Sequence, residues 1–361
     1  MGPELYSKYI INGIQQECTP AELLGDREHR PDAGTVVDET VDPALETHKW
    51  ESARIDEYLD KVKRTRLRLP LPYADVHTRC RLADALIESL WRRGHFRMDD
   101  LAVKADWRWN PAPVGSAAAF YSSVQSAAEY SDDLGIGIAS YACRETSGSC
   151  NVSFRAVLSG DSRRDEFTSG DCRKRTMSRT RACPCTISPD PRSWLIYIPF
   201  DTSDFRLGGS LLAAAMHLGG GVSPQIKDAD YFMDCFEVVR ELVEDGVVIA
   251  AVTVGAGGLL SAADRFCSCG TGTTLDLSDT LKAFEEKNIV RVLFAEIPGV
   301  LLQIRDTDFD YLDAELLLQD VAFFPLGHPN VKSPSIRVKT SSKPSIQMIL
   351  ESIMQNAEGE D

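Results

Sequence analysis

Apolar residues recur at helical spacing at Leu82, Leu86 and Leu90 and stop before Gly94, which predicts a helix with a glycine just past its end. Phe120, Val124 and Ala128 share one face of a second predicted helix, which begins after Gly115 and is closed by Leu134-Gly135-Ile136. Over residues 151–158, Val152, Phe154, Ala156 and Leu158 alternate with polar positions, the pattern of a half-buried strand. Periodicity then disappears. Residues 159–191 are rich in Arg, Ser, Asp and Cys and read as a long mobile loop that trypsin should cut first.

The second half is more regular. It predicts a buried strand at 194–199, a Gly208-Gly209 turn opening a small-residue helix through Ala215, and an amphipathic helix at 228–244 carrying Phe232, Cys235, Val239 and Leu242. A turn at Asp245-Gly246 leads into a β-branched strand at 247–254, and Gly257-Gly258 starts another helix. Strands are expected at 290–293, 300–304 and 321–326, with a helix at 309–319. This alternation implies an α+β layer, with helices over a mixed sheet.

Length permits two domains behind a loosely organised start. Residues 1–66 read as an extended arm with one short helix near 51–62. Residues 67–192 form a first domain, 193–342 a second, and 343–361 a C-terminal helix or tail. No apolar run reaches about 18 residues, so no membrane span is expected, and residues 1–10 lack an apolar signal core. A net charge of -15 argues against coating nucleic acid. Two basic islands nevertheless keep RNA binding open beside the plainer reading of solvated loops: Lys61-Val62-Lys63-Arg64-Thr65-Arg66-Leu67-Arg68, and the group Arg163, Arg164, Arg173, Lys174, Arg175, Arg179 and Arg181. Ten cysteines without framework spacing suggest free thiols in an intracellular, reducing compartment. The C-x-C pairs Cys183/Cys185 and Cys267/Cys269 are too tight for zinc.

Four ordered stretches carry a resemblance. They are Asp106-Trp107-Arg108-Trp109-Asn110 with Gly115-Ser116-Ala117-Ala118-Ala119-Phe120-Tyr121; Asp133-Leu134-Gly135-Ile136 before Cys143-Arg144-Glu145-Thr146-Ser147; Phe205-Arg206-Leu207-Gly208-Gly209-Ser210 with Asp228-Ala229-Asp230-Tyr231-Phe232 and Asp245-Gly246; and Gly255-Ala256-Gly257-Gly258-Leu259 with Val292-Leu293-Phe294-Ala295-Glu296-Ile297-Pro298-Gly299. From residue 101 to 326 the series resembles the C-terminal PurM/AIR synthetase-like unit of phosphoribosylformylglycinamidine synthase, the formylglycinamide ribonucleotide amidotransferase of purine synthesis. The resemblance implies a sheet-plus-helices N-terminal domain followed by an α/β domain. It also implies an ancestry in which ATP and magnesium activate an amide oxygen and ammonia adds to give an amidine.

The motifs depart from that family where its chemistry sits. A Gly-Glu-Asp-Ala-Arg run is replaced by Gly115-Ser116-Ala117-Ala118-Ala119, Gly-Lys-Asp-Ser by Cys143-Arg144-Glu145-Thr146, and Gly-His-Asp by Ala251-Val252-Thr253. Loss of magnesium carboxylates removes several kcal/mol of transition-state stabilisation, so no catalytic residue is assigned. The leading expectation is an inactive relative serving interaction or assembly, the second a diverged synthetase component. Gly208, Gly209, Ser210, Gly257 and Gly258 serve either as tight turns and helix entries or as residual contacts to the phosphates of ATP or ADP. Glu296 and Glu145 are the candidate Mg ligands, against a reading of Glu296 as a surface carboxylate. His217 and His328 read as ordinary surface histidines. Only one PurM-type copy and no glutaminase are recognisable, so the sheet containing 151–158 should leave an uncovered apolar face. A homodimer, or a heterodimer with a related PurM-like chain, is expected there, unless the N-terminal arm folds over it.

Overall fold

In the computed structural model, the described residues are 2–26, 33–94, 96–159, 177, 180–267 and 270–339, and their strands form four sheets. The first is small. β1 (Lys8–Ile11) turns back on β2 (Ile14–Gln15), and β3 (Thr35–Asp38) lies parallel to β1. Asn12 and Gly13 both take positive φ, the two-residue turn that suits a hairpin. α1 (Pro20–Leu23) follows, closed at its start by a capping box between Thr19 and Glu22. After α2 (Ile55–Arg64) the chain enters the main body. The described part of residues 1–66 is therefore not an extended arm, because Leu5, Tyr9 and Tyr58 are fully buried and anchor it to the fold.

α3 (Ala74–Leu90) and α4 (Ser116–Asp133) cover one face of a three-stranded sheet made of β4 (Leu101–Trp109), β5 (Gly137–Glu145) and β6 (Asn151–Leu158), in the order β5-β4-β6. β5 runs parallel to β4 and β6 antiparallel. Along β4, Leu101, Val103, Ala105, Trp107 and Trp109 all point into the helices and are buried. Their polar handles are matched: the Trp107 indole donates to Ser123 Oγ at 3.0 Å, and the Trp109 indole to the Ser116 carbonyl at 2.9 Å.

The opposite face corrects an expectation. It is polar rather than apolar, with Lys104 opposite Arg155, Asp106 opposite Ser153, and Arg108 opposite both Asn151 and Arg144. Nor does the described part of the N-terminal segment cover it. That segment packs on α4 and on the inward-facing side of β5, where Tyr141 donates to Asp26 and Tyr121 to the Cys18 carbonyl.

Of the segment expected as a mobile loop, residues 160–176 and 178–179 lie outside the described residues, as does the expected tail at 343–361. The described end, from residue 180, is tied down. Ala182 N donates to the Trp91 carbonyl at 2.7 Å and Ile187 N to the Phe266 carbonyl at 2.9 Å. Arg181 leaves the basic island, since its guanidinium donates to the Cys183 and Ala251 carbonyls.

The second half builds a four-stranded antiparallel sheet in the order β11-β7-β10-β8. Its elements in chain order are β7 (Trp194–Pro199), α5 (Leu211–Ala215), α6 (Ala229–Glu244), β8 (Val248–Val254), α7 (Gly258–Phe266), β9 (Gly272–Asp276), α8 (Ser278–Ala283), α9 (Ile289–Phe294), β10 (Gly299–Ile304), α10 (Phe309–Leu318), β11 (Phe324–Gly327), β12 (Pro329–Asn330) and β13 (Ile336–Lys339). β9 pairs with β12 and β13 in the fourth, small sheet.

Both faces of the four-stranded sheet are buried. Ile196, Ile198, Leu302 and Ile304 join the core shared with α3 and α6, while Leu195, Tyr197, Val252 and Leu301 join the core of α7 and α9. That explains why its strands read as unbroken apolar runs. The strand expected at 290–293 is instead helix α9, capped by the Asn288 side chain on Val290 N. Ile289, Val290, Val292, Leu293 and Phe294 are all buried, and a run apolar on every side carries no period to separate helix from strand. The strand expected at 321–326 begins later, at Phe324, and Pro325 is tolerated because β11 is an edge strand.

Candidate functional site: a buried polar seam

Polar residues at positions 77, 81, 84 and 88 follow one another along one face of α3, the face turned toward the two glycine turns. At its upper end, His77 Nε2 lies 3.4 Å from the Gly208 carbonyl and 3.3 Å from Ser223 Oγ. Gly209 adopts φ 71°, and a Cβ there would sit 2.7 Å from His77 Nε2 and from the Tyr73 ring. Lower down, Gly255 packs so closely on Asp84 that a Cβ would fall 2.3 Å from Asp84 Oδ2. At the far end, Thr253 Oγ1 donates to Glu88 at 2.6 Å and accepts from the Trp91 indole at 2.9 Å.

Glu296 joins the two turns. Its Oε1 accepts from Leu211 N and from Gly257 N, each at 2.8 Å. It is only 5% exposed, which excludes the reading as a surface carboxylate. Leu211 is the first residue of α5 and Gly257 is the N-cap of α7, so one internal carboxylate takes backbone donors at two helix entries. Ser210 caps α5 through Ala213 N, and Gly258 N donates to the Gly255 carbonyl. The structure thus brings Gly208, Gly209, Ser210, Gly257, Gly258 and Glu296 together.

Burial dominates the electrostatics of the seam. It pushes the Glu296 carboxyl up, opposed by the amides of Gly257 and Leu211 and by the charge of Arg81. Burial, with Arg81 adding to it, holds His77 down to about 4, so the imidazole is neutral near pH 7. His77 Nδ1 and Glu296 Oε2, 3.7 Å apart, are accordingly not an ion pair, and the gap is too long for a hydrogen bond. Asp84 is pushed well up by burial and then by the charges of Glu296 and Glu88, and its Oδ1 has no hydrogen-bond partner. Arg81 spends its donors on structure, reaching Asn151 Oδ1 at 2.5 Å and the carbonyls of Val152 and Arg68 at 3.0 and 2.6 Å.

Glu145 lies elsewhere. It ends β5 beside Glu4, whose own carboxyl is raised by burial and further by the Glu145 charge. Among the described residues, no group of three His, Cys, Asp or Glu side chains is placed to hold a metal ion. The N-terminus of α4, where the resembling family carries its acidic run, is occupied by the chain's own Asp38. That carboxylate accepts from the backbone N–H of Gly115, Ala117 and Ala118 at 3.3, 2.9 and 3.3 Å. His217 and His328 are both exposed, and the His328 ring centroid lies 4.0 Å from that of Trp194. Burial pushes the Cys183 thiol to about 11 and Cys267 to about 12; Cys269 lies outside the described residues.

Sequence reasoning saw the leucine stripe of α3 and missed its polar one. The signal was present as His77, Arg81, Asp84 and Glu88 at intervals of four, three and four.

Residues 198–310 match the family described as AIR synthase related protein, C-terminal domain. The chain is 26% identical over 271 residues to a probable chloroplastic/mitochondrial phosphoribosylformylglycinamidine synthase of Arabidopsis thaliana, covering 72% of this chain and 18% of that protein. It is 26% identical over 231 residues to phosphoribosylformylglycinamidine synthase of Drosophila melanogaster, covering 58% of this chain and 16% of the relative. The chain thus spans less than a fifth of the length of these relatives. Among solved structures, Thermotoga maritima PurL complexed with FGAR superposes with a TM-score of 0.53 at 15% identity, covering 75% of this chain and 42% of the other. PurLQS from Thermotoga maritima gives 0.51 at 14% identity, covering 78% and 46%. At such identities these structures establish the fold alone.

Proposed function

The chain is a PurM-like protein related to phosphoribosylformylglycinamidine synthase, and from that premise we propose that it is a catalytically inactive relative acting in protein interaction or assembly. The observation that carries this reading is the placement of Glu296 Oε1 on both Leu211 N and Gly257 N. A phosphate brought to these turns would meet a carboxylate already holding the amides it needs. Asp38 does the same at the start of α4. Where the resemblance leads one to look for a histidine and an acid, Val252 is core and Thr253 is bonded to Glu88 and Trp91. These groups do not fit a magnesium-bound nucleotide, so no catalytic step is derived through one.

Isothermal calorimetry with ATP and magnesium tests the nucleotide site, and an assay of amidine formation with ammonia as donor tests the chemistry. No binding heat and no turnover are expected. Turnover above a no-enzyme control would sink the reading. The runner-up, a diverged component contributing to ATP-dependent amide-to-amidine conversion, requires nucleotide binding. Calorimetry therefore separates the two.

A further inference from the structure

Helix α10 is apolar on two sides, and the fold covers one of them. Leu312 and Leu316 are fully buried, and Phe309 packs on Trp194 with 5.4 Å between ring centroids. On the other side Tyr311, Ala314, Leu317 and Leu318 fall together, since positions three and seven apart return to one helix face. Tyr311, Leu317 and Leu318 are 44%, 75% and 77% exposed, and Ala314 is exposed as well. A surface helix ordinarily gives its outer face to polar residues. Single exposed leucines are common, but a continuous apolar stripe marks an interaction surface. From Tyr311 to Leu318 this one runs about 10.5 Å, two turns of helix.

The stripe is bordered by one sign of charge. Asp310 and Asp313 are exposed along it, and Asp306 and Asp320 are exposed at its ends. The Tyr311 hydroxyl donates to Asp245 at 3.0 Å, which brings in a carboxylate from the end of α6. The neighbouring cation, Arg305, is engaged with Asp308 at 3.3 Å and with the Gly246 carbonyl at 3.4 Å.

We propose that the outer face of α10 docks a basic amphipathic helix of another protein. Its apolar side chains cover Tyr311, Ala314, Leu317 and Leu318, and its Lys or Arg side chains reach Asp310 and Asp313. Charge complementarity selects this occupant. A second copy meeting the first through the same face would set carboxylates against carboxylates. The chain's own residues 343–361 carry four carboxylates and one lysine, the same sign as the rim. An anionic lipid surface would be repelled for the same reason. An apolar stripe of two turns suits a helix laid alongside, read through residues three and four apart.

This inference rests on the interaction reading and names its surface. The two fail separately, because neither nucleotide calorimetry nor the amidine assay reads a contact at α10. The test is fluorescence anisotropy of a labelled synthetic peptide titrated with the full chain. The peptide is built of leucine and lysine, with the leucines on one helical face. Saturable 1:1 binding is expected, weakened by salt. A peptide of the same composition with the leucine period scrambled should bind about tenfold more weakly or worse. The double variant L317S/L318S should lose about tenfold in affinity. D310N/D313N should lose about fivefold at low salt and little at high salt. Both pairs are exposed, so circular dichroism melts should match the wild type. Absence of binding overturns the proposal. So does equal affinity for the scrambled peptide, or binding that neither variant weakens. Sedimentation velocity covers the remaining occupant. Self-association of the wild type that is lost in L317S/L318S would assign the face to a second copy instead.

Discussion

Along α3, His77 and Arg81 are enclosed and bonded to the chain's own carbonyls, whereas Lys104, Arg108, Arg144 and Arg155 on the outer sheet face stand in solvent around one carboxylate. The two regions draw on the same residue types. Their energetics are opposite because desolvation separates them. A buried polar group costs free energy unless it is paired, so each partner in the seam is needed by the fold. An exposed ion pair contributes about 0–1 kcal/mol, so the outer charges add little to folding. The seam is where substitution should break the protein. The face is where substitution should leave it standing.

The largest effect expected is that of Glu296→Ala. It leaves Leu211 N and Gly257 N unsatisfied in a buried site, which should cost about 3 kcal/mol or more. Glu296→Gln keeps a carbonyl oxygen for those amides and should cost about 1 kcal/mol. Urea unfolding of the two variants measures the difference. Equal losses would mean that the carboxylate charge, rather than its acceptor oxygen, holds the turns.

The seam also predicts a pH dependence. His77 titrates near 4 in the folded chain against an ordinary 6.5, so between those values the unfolded chain carries the extra proton. Stability therefore rises with pH across that window, and acidifying from pH 7 to 5 should cost about 2 kcal/mol through this group. Glu296 and Asp84 are shifted upward by burial and work in the opposite sense, since their folded forms take up protons first on acidification. The difference between wild type and His77→Gln isolates the histidine. Thermal melts from pH 7 to 5 should fall less steeply in the variant, and parallel slopes would remove His77 from the account.

Much of this fold is legible in the sequence because most elements carry one strong signal. The leucine period of α3, the alternation of β6 and the glycine turns before α5 and α7 each lead to the right element. α9 was misread because an apolar run buried on all sides has no period. The small N-terminal sheet was missed although Asn12-Gly13, set between Ile11 and Ile14, is a hairpin signal in its own right. The site is harder to read. Gly209, Gly257 and Glu296 could be named from motif order, but their joining by one carboxylate depends on turns 48 residues apart in the chain (Gly209 to Gly257) meeting over α3. The outer sheet face was given the wrong character, because residues 151–158 were read without the cations that β4 and β5 bring beside them.

A smaller loss is expected from Gly257→Ala. The residue holds φ 81° as the N-cap of α7, and a Cβ would fall 2.5 Å from Ser261 Oγ. The left-handed conformation costs a side chain about 1–2 kcal/mol, and rotation of the Ser261 hydroxyl group relieves part of the clash. Chemical denaturation should show a loss in that range, below that of Glu296→Ala. A larger loss would indicate that the Glu296 hydrogen bond to Gly257 N is broken as well.

The smallest effect on stability belongs to the outer face. Lys104→Glu and Arg155→Glu lie opposite each other on β4 and β6, both exposed, with no hydrogen bond or ion pair to either side chain among the described residues. Each should change unfolding free energy by less than about 0.5 kcal/mol, the usual range for surface substitutions. Reversal at 104 even places a carboxylate within reach of the retained Arg155, which offsets part of any cost from the nearby Asp106. The comparison is sharpest when these variants are melted beside Glu296→Ala. A Lys104→Glu protein with the wild-type melting temperature would separate the face from the fold. If the melting temperature fell by an amount comparable to Glu296→Ala, the outer cations would belong to the scaffold, and the contrast between the two regions would be lost.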